Sequence, residues 1–177
     1  MRLTYMSIHD VIRWRLQERR LFALRPLAAG TSARRCMLLA EDVWSLLNTT
    51  HEDQELEERI GFLQADLEVF AEGQPIHPKY LFLLYPVEDA VWEIRSVRPA
   101  PSIRVLGLFA DKDVFVATNY ALREELGGWQ SREWKQVKRR ARAVWSSLFH
   151  PYPPMVSTDV NQLVSGAING KYFKERA

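Results

Sequence analysis

The stretch VWEIRSVRPAPSIRVLGLFADKDVFVATNY, residues 91–120, contains three apolar runs separated by two short polar connections. Runs of this length that are rich in β-branched and aromatic residues and end at Pro or Asp are typical of β-strands. Connections as short as RPAPS and ADKD join neighbouring antiparallel strands. Together with an earlier apolar run, the stretch predicts an antiparallel meander of four strands, at 80–85, 91–97, 103–109 and 114–120.

Helical periodicity flanks the predicted meander on both sides. Residues 55–71 repeat apolar side chains at intervals of three and four above an acidic face, as expected of an amphipathic helix. Residues 132–149 repeat the pattern with a basic face. A strand is predicted near 20–30. Capping residues before apolar stripes predict three helix starts: Ser7 with Asp10, Thr31 or Ser32 for a helix that reaches Leu47, and Ser131.

The composition predicts one globular domain with terminal additions. The chain has 177 residues, of which 47% are hydrophobic and 26% are charged. We predict an α+β fold in which a small antiparallel sheet has its helices packed on one face. The predicted boundaries are an N-terminal helical extension at 1–19, a central domain at 20–149 and a C-terminal tail with a short helix at 150–177.

The sequence disfavours membrane and secreted proteins. No apolar run approaches the roughly 20 residues that span a bilayer, and the N-terminus is more charged than a signal peptide. The single cysteine, Cys36, has no second cysteine to pair with and suits a reducing compartment. We expect a cytoplasmic protein with no membrane partner, and the sequence does not indicate an oligomeric state.

Charge is strongly segregated along the chain, although the net charge is only +2. Residues 1–40 carry eight arginines against two acids, 41–72 carry ten acids against one arginine, and 91–145 carry eleven Lys or Arg against six acids. Basic blocks of this kind indicate an anionic partner. The alternative is that these blocks are solvated helix faces.

Motifs for several kinds of catalysis are missing. The four histidines lie singly, and no His or Cys stands at a chelating interval. The eight glycines are scattered, so there is no phosphate-binding loop, and no serine lies in a nucleophile elbow. We therefore expect no metal and no cofactor.

Two arginines interrupt the predicted strands. Because alternate side chains of a strand share a face, Arg95 lies on the face of Glu93, and Arg104 lies on that of Leu106 in the next strand. On an open face of the sheet these guanidiniums would bind phosphate through paired donors. The alternative is a salt bridge with Glu93 or with an acid from 41–72, with the aliphatic stems packed on the sheet.

Further basic and aromatic residues extend this candidate site. Tyr120 ends the last predicted strand and Arg123 follows it, and a guanidinium beside a phenol can hold RNA and stack on a base. The last helix and the loops supply candidate nucleic-acid contacts: Arg98, Lys112, Lys135, Lys138, Arg139 and Arg142. The tryptophans in apolar positions are predicted to be core: Trp92, Trp134 and Trp145.

The segments VWEIRS, IRVLGLF and DVFVATNYALREE, followed by a helix rich in Lys and Arg, resemble the RelE/ParE toxin superfamily. The phage-derived HigB-like branch is the most similar, because there an aromatic-Glu-aliphatic-Arg segment precedes a strand that begins with arginine. The resemblance covers roughly residues 20–149.

The resemblance implies a compact toxin fold whose RelE-like and HigB-like members cut mRNA on the ribosome without a metal. The RNA 2′-hydroxyl attacks the adjacent phosphate, and the protein moves protons and supplies positive charge. Arg95, Arg104 and Arg123 would then contact phosphate, and Tyr120 would position a base or assist proton transfer. RNA or the ribosome and an antitoxin protein are the expected partners.

Two other functions remain open for the same fold. The first is a non-catalytic module of phage or mobile-element origin that binds nucleic acid or a protein. The second is a ParE-like inhibitor of DNA gyrase, since members of that branch keep the fold and lack RNA-cleaving residues.

Overall fold

The computed structural model describes residues 6–26, 30, 32–96, 98–129 and 131–174. Within these residues the chain forms four α-helices and six β-strands, so the α+β class is confirmed. The elements are, in chain order, α1 (Ile8–Gln17), β1 (Leu21–Ala23), β2 (Cys36–Ala40), α2 (Glu41–Asn48), α3 (Gln54–Ala71), β3 (Leu81–Leu83), β4 (Trp92–Arg95), β5 (Ile103–Asp111), β6 (Val114–Leu122) and α4 (Arg132–Phe149).

The strands form one mixed sheet in the order β1-β2-β6-β5-β4-β3. Strands β3 to β6 each pair antiparallel with the next strand in sequence, so the predicted meander is confirmed. Strand β2 pairs parallel with β6 and antiparallel with β1, which adds two strands to the meander. The predicted strand end at Val97 lies outside the described residues.

Helices cover both faces of the sheet, so the prediction that they pack on one face is wrong. Leu63 of α3 lies in a core that includes Val105 of β5. Trp145 of α4 lies in a second core that includes Leu106, the next residue of the same strand. Because successive strand residues point to opposite faces and both are apolar here, each face of the sheet needs its own cover.

The predicted second helix is wrong in its first half. Cys36–Ala40 forms strand β2, and α2 begins only after it. Leu38 packs in the core beneath α1 and α4, whereas Leu39 packs in the core beneath α2 and α3. A continuous apolar run suits a strand buried on both faces as well as a helix, and pairing with β1 and β6 decides for the strand. The predicted cap Thr31 lies outside the described residues.

The helices predicted after Ser7 and over 55–71 and 132–149 are confirmed, and so are the predicted caps Ser7 and Ser131. The short helix predicted in the tail is wrong, because the described residues there form only one 3₁₀ turn, Val160–Gln162. The Ser7 hydroxyl accepts a hydrogen bond from the Asp10 backbone N–H, and the Asp10 carboxylate accepts one from the Ser7 N–H. Asp53 caps α3 through its carboxylate. The Ser131 hydroxyl oxygen accepts a hydrogen bond from the Trp134 N–H at the start of α4. Each cap satisfies donors that the first helical turn leaves unpaired.

The C-terminal segment is part of the core. Val164 and Tyr172 are buried in the core beneath α2 and α3. The Tyr172 hydroxyl lies 2.6 Å from the Ile76 carbonyl oxygen, and the Leu83 backbone N–H donates to the Tyr172 carbonyl oxygen at 2.7 Å. Docking of the tail on the domain is therefore observed, and the predicted domain boundaries stay predictions.

The two longest helices, α3 and α4, have 18 residues each and are amphipathic. Each lays an apolar stripe on one face of the sheet and turns charged side chains outward, acidic on α3 and basic on α4. In the part of the chain that the structure describes, no helix combines the length and the apolar character needed to cross a membrane.

Gly107 of β5 lies too close to β6 for any side chain. The pairing register shifts between Leu106 and Gly107, which marks a bulge. A Cβ atom on Gly107 would overlap the Val116 carbonyl oxygen and the Phe115 ring. Because one of these neighbours is backbone in the centre of the sheet, it cannot move aside, and only glycine fits.

We predict that Gly107→Ala lowers the free energy of unfolding by about 3 kcal/mol, because overpacking forces the sheet apart. Urea unfolding followed by circular dichroism measures this change. The matched control is Gly61→Ala on α3, where a Cβ meets nothing within 4 Å. There alanine should stabilise the helix by about 0.5–1 kcal/mol through its higher helix propensity. A Gly107→Ala protein as stable as the wild type would contradict this account of the bulge.

Candidate nucleic-acid interface

Helix α4 separates its apolar and basic side chains. Trp134, Ala141 and Trp145 are buried, and the helix packs on β5 and β6. The core positions predicted for Trp134 and Trp145 are confirmed, as is that of Trp92 on the opposite face. Because the apolar stripe is fixed on the sheet, the basic side chains of α4 are held on the outside of the molecule.

A groove of about 340 Å³, here called the α4 groove, lies between α4 and the connection from β3 to β4. Four cations of α4 line it, and the connection and two tryptophans supply the remaining surface: Lys135, Lys138, Arg139 and Arg142, then Leu84, Tyr85, Pro86 and Asp89, and Trp129 and Trp134. The four α4 residues predicted to contact nucleic acid are therefore brought together on one surface.

Two of these cations tie the groove walls to each other. Arg142 Nη1 lies 2.8 Å from Asp89 Oδ1, and the Lys138 ammonium donates a hydrogen bond to the Tyr85 carbonyl oxygen. Burial lowers the pKa of Lys138, Asp89 raises it in part, and the neighbouring positive charge of Lys135 lowers it further. These contacts bridge the helix and the β3–β4 connection across the α4 groove.

The other two cations face the solvent. Lys135 and Arg139 are exposed, and neither has an ion-pair partner among the described residues. Their positive charges are therefore uncompensated at contact distance, and they can reach an anion that enters the α4 groove.

An aromatic row extends from the α4 groove across the sheet edge, and consists of Trp134, Trp129 and Phe82. The Trp129 ring centroid lies 5.6 Å from that of Trp134 and 6.4 Å from that of Phe82, in edge-on geometry in both cases. Trp129 is 46% exposed and lines the α4 groove. An exposed indole held between two partly or fully buried rings is a rigid stacking platform.

The arginines of the predicted strands lie on the α4 face of the sheet. Arg95 and Arg104 are directly opposite each other on β4 and β5, so they share a face. Glu93 lies beside them and is 1% exposed. Arg95 Nε donates to Glu93 Oε1 at 2.6 Å, and Arg104 Nε lies 4.0 Å from Glu93 Oε2. Arg95 therefore forms the predicted salt bridge with Glu93. The guanidiniums of Arg95 and Arg104 nevertheless stay on the same face of the sheet.

Arg123 acts electrostatically on Arg104, and the arginine cluster is defined here as Arg95, Arg104 and Arg123 together with Glu93. Burial lowers the pKa of Arg104, Glu93 raises it in part, and the positive charges of Arg95 and Arg123 lower it again. The Arg123 guanidinium donates to the Leu126 carbonyl oxygen at 2.6 Å. The Phe82 ring links the cluster to the aromatic row, because the Arg95 guanidinium lies 4.2 Å from its centroid.

Tyr120 does not join the arginine cluster. It pairs with Val105 on β5 and packs against the core beneath α2 and α3, on the opposite face of the sheet. There it lines a separate cavity with several charged residues, among them Asp42, His51 and Arg140. Among the described residues no group of three or more His, Cys, Asp or Glu side chains is placed to hold a metal ion.

The two remaining predicted contacts lie apart from the α4 groove. Lys112 is in the turn between β5 and β6, at the end of β5 that is distant from Arg104. Arg98 is exposed in the connection between β4 and β5. Neither residue lines the groove.

Sequence reasoning did not single out Phe82, Trp129, Tyr85 or Asp89 as parts of a site. For Trp129 a signal was available, since a tryptophan in the polar stretch LGGWQS lies outside any apolar stripe. The other three depend on long-range packing of the β3–β4 region against α4, which no local pattern encodes.

The α4 groove, the aromatic row and the arginine cluster form one continuous surface on the α4 side of the sheet. The geometry of this surface is the basis for function here, because the chain matches no protein-family model, no curated protein and no solved structure.

Proposed function

We propose that the protein binds single-stranded RNA along the α4 groove. The observation that carries the proposal is the meeting of unpaired cations with an exposed tryptophan in one groove: Lys135, Arg139 and Trp129. Proteins that bind single strands combine a positive groove for the backbone with aromatic side chains on which bases stack.

The charges of the groove favour a phosphate backbone over other anions. Lys138 and Arg142 are engaged with the opposite wall, and Lys135 and Arg139 stand one helical turn apart with free positive charge. Successive phosphates of a strand can contact these two residues together, and each phosphate contact releases counterions and adds to the affinity.

The aromatic platform favours unpaired bases. A base in a duplex is stacked on its neighbours and is not accessible to a protein ring, so an exposed indole at the groove is useful only for a single strand or a loop. Trp129 is packed between its two aromatic neighbours and stays 46% exposed, so part of its ring surface is open to a base.

The resemblance to RelE-like and HigB-like proteins supports RNA over single-stranded DNA. A strand, two helices, an antiparallel meander and a basic helix follow one another here, as β2, α2, α3, β3–β6 and α4. If the function follows this resemblance, the protein acts in the cytoplasm on RNA or the ribosome, and an antitoxin protein covers the basic surface. RNA binding without cleavage is the non-catalytic form of the same proposal.

We predict that the double variant Lys135→Glu with Arg139→Glu lowers the affinity for single-stranded RNA at least about tenfold, because two attractive charges become repulsive. Fluorescence anisotropy with a labelled RNA at several salt concentrations measures the affinity, and the salt dependence should become shallower. Single-stranded DNA of the same sequence is tested in parallel.

The matched control is Arg140→Glu with Lys112→Glu, which makes the same change in charge away from the α4 groove. Arg140 is on the same helix but pairs with Asp42, and Lys112 is in the β5–β6 turn. If both double variants lose the same affinity, binding follows net charge and the groove proposal fails.

We predict that Trp129→Ala weakens binding of single-stranded RNA by about 1–3 kcal/mol and leaves binding of duplex RNA almost unchanged, because only unpaired bases stack on the ring. Competition binding with the two forms of RNA measures this difference. Trp14→Ala is the control, since Trp14 is 47% exposed but lies on α1. An equal loss for single-stranded and duplex RNA would exclude the stacking role.

Cleavage of the bound RNA is the second candidate, and the pairing of a carboxylate with guanidiniums in the arginine cluster favours it. The RNA 2′-hydroxyl would give its proton to Glu93 and form a bond from its oxygen to phosphorus. The 5′-oxygen would leave with a proton from water, and the resulting hydroxide would take the proton from Glu93. Because Glu93 is 1% exposed, Arg95 or Arg104 must move aside for this step.

For this candidate we predict that wild-type protein cuts RNA in the presence of a metal chelator and that Glu93→Gln lowers the rate at least about hundredfold, because the proton acceptor is lost. Gel analysis of end-labelled RNA gives the rate, and RNA with a 2′-deoxy nucleotide at the cut position is the control. Intact RNA after incubation at saturating wild-type protein would remove the cleavage candidate and leave the binding proposal standing.

A further inference from the structure

The arginine cluster carries excess positive charge. Arg95 and Arg104 lie against the carboxylate of Glu93, and Arg123 is close enough to Arg104 to act on it electrostatically, so the charges of these four side chains sum to +2. Glu93 Oε1 is engaged by Arg95, and Glu93 Oε2 has no hydrogen-bond partner among the described residues. Glu93 therefore neutralises about one of the three positive charges.

Arg104 has guanidinium hydrogen-bond donors without a partner among the described residues. It donates no hydrogen bond to any described residue, and its Nε is sealed from solvent without a partner. Its side chain is 19% exposed, so its outer guanidinium nitrogens are the part that reaches the solvent. A planar guanidinium with free outer donors matches the oxygens of a phosphate group.

The surroundings of Arg104 favour an anion. Burial and the positive charges of Arg95 and Arg123 all lower the pKa of Arg104, and only Glu93 raises it. A bound anion would add a second favourable charge at this place. In a half-buried site that interaction is screened less than on the open surface.

The cluster is connected to the α4 groove by aromatic rings. The Arg95 guanidinium lies over the Phe82 ring, which contacts the exposed Trp129. A base stacked on Trp129 would therefore place its own or the adjoining phosphate next to the arginine cluster.

We propose that the arginine cluster binds a terminal phosphomonoester of the RNA strand that lies in the α4 groove. A phosphomonoester carries about −1.5 to −2 charges at neutral pH, which matches the excess charge of the cluster, whereas an internal phosphodiester carries one. Arg95 and Arg104 expose about a quarter or less of their side chains, which suits a group attached to the strand on one side only.

This inference rests on the proposed RNA binding, and it competes with the cleavage candidate, which places an internal phosphodiester on the same guanidiniums. The test compares one short RNA sequence in three forms: with hydroxyl groups at both ends, with a 5′-phosphate and with a 3′-phosphate. Fluorescence anisotropy gives the dissociation constant of each form for wild type, Arg104→Ala, Arg104→Lys and Lys112→Ala.

For the wild type we expect one phosphorylated form to bind at least about tenfold more tightly than the hydroxyl form, the effect of hydrogen bonds to a charged group. Arg104→Ala should reduce this ratio to about one. Arg104→Lys keeps a positive charge and a long stem without the paired donors, so it should reduce the ratio in part even if Arg104→Ala folds poorly. Lys112→Ala should keep the wild-type ratio.

Three results would overturn the inference, and they differ in whether the proposed RNA binding fails as well. If all three forms bind the wild type equally, the cluster does not read a terminal phosphate, and RNA binding by the groove stands. If no form binds, the proposed function fails and the inference fails with it. A phosphate gain that Arg104→Ala and Arg104→Lys both retain would place the phosphate elsewhere on the surface and also overturns the inference.

Discussion

The contact of Glu93 with Arg95 and Arg104 is the interaction on which the functional surface depends. A sheet covered on both faces has little room for charge, because a buried ion without a partner costs several kcal/mol. The Glu93 carboxylate, 1% exposed, allows two guanidiniums to lie on the α4 face of β4 and β5. The single negative charge of Glu93 balances only one of these two guanidiniums, and Arg123 adds a further positive charge near Arg104. The result is a stable fold that keeps positive charge at the margin of its core.

The two faces of the sheet divide the chemistry of the molecule. The α4 face holds the arginine cluster, the aromatic row and the α4 groove, so everything suited to nucleic acid lies on one side. Tyr120 lies on the other face, so the four residues that the resemblance implies for catalysis do not converge in this structure. RNA binding needs only the surface on the α4 face, whereas RNA cleavage also needs a proton acceptor that the RNA can reach. This difference places RNA binding ahead of RNA cleavage as the proposed function.

The sequence predicted those parts of the fold whose pattern is local. Helices α3 and α4 have unbroken amphipathic periods with capping residues, and the meander has short connections that leave few alternatives. The five apolar residues of β2 fit a helix or a strand equally well, and pairing with β1 and with β6, which is far away in sequence, selects the strand. Coverage of both faces likewise depends on long-range packing, with α2 and α3 on one face and α1 and α4 on the other. In the site, the basic residues of α4 were predictable from composition, whereas Phe82, Tyr85 and Asp89 gain their roles only when β3 and its connection pack beside α4.

The bonds that tie α4 to the β3–β4 connection have a consequence for selectivity. Arg142 with Asp89, and Lys138 with the Tyr85 carbonyl, hold the groove at one width before any ligand arrives. A preorganised site of this kind loses little conformational freedom on binding, so most of the ordering entropy falls on the RNA. A flexible single strand can adapt to a fixed gap and a rigid duplex cannot. Under the proposed function, the groove would therefore favour thin, flexible single strands over the thicker and stiffer duplex.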